Sequence, residues 1–131
     1  MFVDASALTA LMTVEEGSHD LFARVERAKT RITSPIAVWE TAVAISRITA
    51  LDVPSAWHEV ADYLALAKID LVSVPPEAAA LALDAFDRYG KGRHPARLNM
   101  GDCFAYACSR HFGLPLLYKG DDFALTDIET A

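Results

Sequence analysis

The chain has 131 residues, 53% of them hydrophobic and 23% charged, which describes one globular domain spanning residues 1–131. These values exclude a disordered tail, a collagen-like fibre and a disulfide-stapled miniprotein. The net charge of −6 argues against simple electrostatic binding of nucleic acid, unless several carboxylates share one site and hold cations there.

Met1 to Asp4 reads as a short buried strand ending in an acid, and Ala5 to Thr13 has helical character. A second helix is expected over Glu15 to Ala28, with Leu21, Phe22 and Val25 on one face. Arg31 to Thr33 reads as the next strand. Ser34 then caps a helix with Pro35 at its first position, running to about Thr49. Pro54 to Lys68 is expected to be helical, with Trp57, Val60, Ala61 and Leu64 on one side. Ile69 to Val74 is apolar and β-branched, hence a strand, and a helix follows from Glu77 to Tyr89. Gly90 to Leu98 is the one clear loop. Asn99 or Gly101 opens a helix to Phe112, which Gly113 and Pro115 stop. Leu116 to Tyr118 is a strand, and Thr126 to Ile128 is expected to add a short edge strand. The alternation predicts an α/β fold of three layers, with a mostly parallel sheet of four to five strands between helices. Ligands in such sheets bind beyond the carboxyl ends of the strands.

Acids gather at that predicted edge. Asp4 closes the first strand, Glu40 lies early in the Pro35 helix, Asp102 sits in a first helical turn, and Asp121 and Asp122 follow the last main strand. Their neighbours Val3, Val38, Ala42, Cys103, Phe104 and Leu117 are core-forming types, whereas solvated acids sit among polar residues. Clustered, partly desolvated carboxylates resist ionisation unless a cation neutralises them. Hard divalent ions with oxygen ligands are the usual solution, so Mg²⁺, or Mn²⁺ in its place, suits an all-carboxylate set. Such an ion suits phosphoryl chemistry with water as nucleophile. No nucleophile elbow or phosphate-binding Gly-x-x-x-x-Gly-Lys loop competes with that reading. Each acid alone has a structural explanation, as a helix cap, a first-turn acid or a turn former.

Three segments carry a resemblance. They are Met1-Phe2-Val3-Asp4-Ala5-Ser6-Ala7-Leu8, then Tyr89-Gly90-Lys91-Gly92-Arg93-His94 with Leu98-Asn99-Met100-Gly101-Asp102-Cys103-Phe104-Ala105-Tyr106-Ala107, and Pro115 through Phe123 running into Thr126-Asp127-Ile128. In that order they resemble the PIN-domain ribonucleases, specifically VapC-type toxins of toxin–antitoxin pairs, over essentially the whole chain. The resemblance implies that Asp4 and Asp102 are the primary magnesium ligands and that Glu40 completes the cluster. The fourth acid matches Asp122, with Asp121 as the alternative. Ser6 matches a supporting hydroxyl, and helix capping is its competing role. Magnesium-dependent cleavage of RNA is implied, with a VapB-type antitoxin as partner and a homodimer as the usual assembly. The rival from another class is an inactive PIN-like module that binds a cation and a protein partner.

The loop residues Lys91, Arg93 and Arg97 are candidates for RNA or partner binding, and Lys119 is a weaker one. Trp39 reads most simply as core. Trp57, Tyr63 and Leu66 suit either an interface or ordinary helix packing. Cys103 and Cys108 read as packing residues, consistent with a reducing compartment. The mean hydropathy is +0.20, yet no uncharged run of about 18 apolar residues occurs, so no membrane span is expected. Met1–Asp4 has no signal-like start, and a cytoplasmic location is the expectation.

Overall fold

A computed structural model describes residues 1–131. Four strands of two residues each make the sheet: β1 (Phe2–Val3), β2 (Ile32–Thr33), β3 (Asp70–Leu71) and β4 (Leu116–Leu117). They run parallel in the order β3-β2-β1-β4, with Phe2 opposite both Ile32 and Leu116. Six helices cover it: α1 (Ala5–Met12), α2 (Ser18–Arg27), α3 (Pro35–Thr49), α4 (Val53–Ala67), α5 (Ala78–Tyr89) and α6 (Met100–Phe112).

Side chains alternate across a strand, and here the alternation divides the interior in two. Val3 and Leu117 point into a core with Leu8, Val38, Ile45 and Val60. Phe2 and Leu116 point the other way, joining Ala82, Leu98, Tyr106 and Cys108. The result is the expected three-layer α/β/α arrangement. Helices α1 to α4 cover one face, and α5 and α6 the other.

Local chemistry sets the helix ends. Ser34 Oγ accepts from the Ala37 N–H at 3.2 Å, and Pro35 follows it. Asp52 caps α4 through the Ser55 N–H at 2.7 Å, so that helix starts at Val53 rather than Pro54. Helix α2 starts later than expected, because Gly17 takes a left-handed turn (φ +83°). Phe22 is half in solvent instead of on the buried face of Leu21 and Val25. The expected strand at Thr126–Ile128 is absent. Phe123–Leu125 forms a 3₁₀ turn, and the edge contact comes later as a single parallel bridge between Leu116 and Thr130. No helix is long and apolar enough to cross a membrane.

Topology explains where the acids fall. In a parallel sheet, a helix that follows a strand begins at the carboxyl edge. A helix that leads into a strand runs antiparallel to it and also begins there. Helix α3 follows β2, and α6 leads into β4. Both therefore present their first turns beside Asp4, which directly follows β1.

Candidate active site

Asp4 is the N-cap of α1 and is 2% exposed. Its Oδ2 accepts from the Ser6 N–H at 3.0 Å and from Ser6 Oγ at 2.5 Å. Ser6 Oγ in turn accepts from the Lys119 N–H at 3.0 Å. The cap of α1 is thus Asp4, not Ser6. Ser6 instead bridges the Asp4 carboxylate to the segment leaving β4, the segment that carries Asp121 and Asp122.

Asp102 is held by a reciprocal cap. Asn99 Oδ1 accepts from the Asp102 N–H at 2.9 Å, and Asp102 Oδ2 accepts from the Asn99 N–H at 2.8 Å. Its Oδ1 takes no part in the cap. Glu40 reaches the same place from α3, and a Cβ built on Gly101 would fall on its carboxylate. Glycine at this position lets the Glu40 carboxylate rest against the first turn of α6. Asn99 and Gly101 thus hold two of the acids in place, beyond the helix start that the sequence predicts for them. The available signal was the glycine itself, which costs about 1 kcal/mol in a helix and so needs a reason.

Three of the acids, Asp4, Glu40 and Asp102, have raised carboxyls. Burial raises the Asp4 carboxyl above its ordinary range, and the Asp122 charge adds to it against the Ser6 hydrogen bonds. Glu40 is pushed up to about 7 by burial, then by Asp4 and Asp102. Asp102 is pushed up to about 6 by burial, then by Asp4 and Asp122, against its bond from Asn99. Asp121 and Asp122 are both exposed, and it is the Asp122 charge that acts on Asp4 and Asp102.

The donor set fits a hard divalent ion. It consists of carboxylate oxygens that repel one another, as they would until a cation neutralises them. No three of them converge tightly enough to enclose an ion by themselves. Magnesium does not require such an enclosure, since it keeps several waters and takes only one or two carboxylates. Cys103, next in the chain, is no ligand. It is buried, and burial and the Asp102 charge push its thiol up to about 11.

The other expected residues divide. Lys91, Arg93 and Arg97 line an open basin of about 500 Å³ on the α5–α6 loop. Its ends are pinned by the Lys91 N–H to Leu98 O (3.0 Å) and the Leu98 N–H to Tyr89 O (3.0 Å). Arg93 pairs with Asp87 at 2.7 Å and lies over Phe86, so it is partly committed. Lys91 and Arg97 enter none of the chain's ion pairs. Lys119 turns to the α1–α2 loop, onto Glu16 O and Glu15 (3.4 Å), and is withdrawn from the acids. Trp39 is not core: it is 65% exposed. Trp57 and Leu66 are also exposed, while Cys103 and Cys108 are buried free thiols. A separate, wholly apolar groove of about 390 Å³ runs between α5 and α6, lined by Ala79, Leu83, Phe86, Met100 and Phe104 among others.

Four acids at the carboxyl edge of a short parallel sheet, between α3 and α6, define a class. The PIN domain family matches residues 1–129, and the chain belongs to it. Within that family it is of VapC type. It is 41% identical to VapC ribonuclease Mb0640 of Mycobacterium bovis over 130 residues, covering 99% of this chain and 97% of that one. It is 35% identical to VapC ribonuclease R02377 of Rhizobium meliloti, covering 97% and 98%. The crystal structure of Mycobacterium tuberculosis VapC20, a Sarcin-Ricin loop cleaving toxin, superposes with TM-score 0.76 at 18% identity, over 99% of this chain and 97% of that one. A toxin–antitoxin complex from Klebsiella pneumoniae gives 0.67 at 17%, over 96% and 92%. These two structures support the fold.

Proposed function

We propose that this chain is a metal-dependent endoribonuclease, the toxin of a toxin–antitoxin pair, acting in the cytoplasm. The observation that carries the reading is the meeting of Asp4, Glu40, Asp102 and Asp122 at one sheet edge. The names of its relatives, VapC ribonucleases at 35–41% identity, support the choice of RNA.

Asp4 and Asp102 would hold Mg²⁺, or Mn²⁺ in its place, with Glu40 and Asp122 completing the negative pocket. Bound there, the ion would supply Lewis acidity for water-dependent phosphodiester hydrolysis. The chain's own part is positioning. Ser6 fixes the Asp4 carboxylate, Asn99 fixes that of Asp102, and Gly101 leaves room for Glu40. Lys91 and Arg97 bind RNA phosphates away from the cut, with Arg93 in support. A VapB-type antitoxin is the protein partner, and the complex solved for the Klebsiella relative supports such a pairing. The working assembly is a homodimer, checked by light scattering.

Purified protein should cut RNA with Mg²⁺ and stop with EDTA. Asp4→Asn and Asp102→Asn should be inactive. Metal-independent cutting, or full activity in both variants, ends the reading. Expression without a partner should arrest growth, and Asp102→Asn should relieve it.

A further inference from the structure

Trp39 is used by nothing described so far. It is 65% exposed, although an indole gains much from burial. One exposed apolar side chain means little by itself. Here two of them are chain neighbours of residues at the site. Trp39 directly precedes Glu40, and Glu40 rests on Gly101, whose other neighbour Met100 is 67% exposed. Trp39 and Met100 are thus each one residue along the chain from the Glu40–Gly101 contact, and both side chains are exposed. The loop that leads into α6 adds the unpaired cations Lys91 and Arg97.

Single-stranded nucleic acid is recognised by this combination: aromatic faces for the bases and cations for the phosphates. A protein partner finds a better surface in the apolar groove between α5 and α6, which shares only Met100 with this rim.

We propose that Trp39 is a nucleobase platform, its indole stacking on an unpaired base beside the phosphodiester that reaches Asp4, Glu40, Asp102 and Asp122. The proposal rests on the ribonuclease reading and deepens it: the substrate is single-stranded where it is cut. Every base has a π-face, so the platform supplies affinity and not base identity.

The test uses the full chain with a mixed-sequence single-stranded RNA oligonucleotide. The chain has two tryptophans, so Trp57→Phe leaves Trp39 as the only reporter. With Asp102→Asn added to prevent cutting, RNA should quench the indole emission. Trp39→Ala should weaken RNA binding about tenfold, while Trp39→Phe and Trp39→Tyr keep most of it. In the cutting-competent chain, Trp39→Ala should raise KM about tenfold and leave kcat and Tm near wild type. A KM within about twofold of wild type overturns the proposal. So does an emission that ignores RNA and responds only to the antitoxin, which would give the indole to the protein partner. A wild-type chain that neither binds nor cuts RNA sinks the ribonuclease reading itself. Wild-type cutting with an indifferent Trp39 sinks only the platform.

Discussion

Asp127 and the acids at the strand edge are the same kind of group in opposite surroundings. Asp127 accepts from Tyr106 Oη at 2.7 Å and pairs with Arg88 and Arg110 at 2.9 Å each. Those hydrogen bonds, Tyr106 and Arg88 foremost, hold its carboxyl far below the usual carboxylate range. Asp4, Glu40 and Asp102 enter none of the chain's ion pairs, and their carboxyls are driven up. One acid fastens the C-terminal segment to α5 and α6 and is satisfied. The others have no cation partner and resist ionisation, so protons or a bound cation would relieve them. Gathering like charges without a cation partner at one edge, while neutralising another acid well, is what points to the first place as the candidate site.

The largest effect should come from breaking the cluster where the fold barely notices. Asp102→Asn keeps a side-chain carbonyl able to accept the Asn99 N–H, so the helix start survives. RNA cleavage should nevertheless fall at least ~10³-fold. Near-wild-type turnover would remove Asp102 from the machinery. Gly101→Ala sharpens the same comparison without touching a charge. The new methyl group displaces the Glu40 carboxylate, the mobile end of a flexible side chain. Activity should drop by about 10²-fold, as misplacement by an ångström can cause. Thermal stability should hold, because alanine is the better helix former. A loss of folding in place of activity would make Gly101 a packing residue only.

Much of this was legible along the chain, for physical reasons. Caps are local, so Ser34–Pro35 announces its helix directly, while the sequence leaves Asn99 and Gly101 both open as the start of α6 and the Asn99–Asp102 cap decides for Asn99. Asp4 lies at a strand end because Phe2 and Val3 are core residues on opposite faces. Trp39 was misplaced because its neighbour Val38 is buried, and one helical step of about 100° turns a side chain from core to solvent. The Asp127 network was invisible for another reason. It joins α5, α6 and the segment after the 3₁₀ turn, and no sequence spacing records that meeting. The edge contact at Thr130 was missed because the 3₁₀ turn delays it.

A subtler contrast appears when pH is varied without metal. An acid whose folded pKa is raised binds more protons folded than unfolded, so stability falls as pH rises between the two values. Glu40 near 7 and Asp102 near 6 place that decline between pH ~4 and 7. In EDTA, the melting temperature should drop across this window. Mg²⁺ should raise it, more at pH 8 than at pH 5, because the ion competes with protons for the same oxygens. A melting temperature indifferent to Mg²⁺ at pH 8 would break the comparison at its centre.

Asp127 should give the smallest effect, with the opposite slope. Its folded pKa is depressed, so its contribution is present above the unfolded value of about 4 and is lost as pH falls below it. The side chains of Asp127, Arg88 and Arg110 are each more than 40% exposed, and solvent screens their pairing. Asp127→Ala should therefore lower the melting temperature at pH 7 by only about 2–5 °C. The gap from wild type should shrink in about 1 M salt and begin to narrow only as pH falls below about 4. Cleavage should stay within about threefold of wild type, since no acid of the cluster depends on Asp127 for a hydrogen bond. A loss of cutting as deep as that of Asp102→Asn would mean that the 3₁₀ turn transmits the Asp127 anchor to Asp122, and the two groups of acids would then be one device.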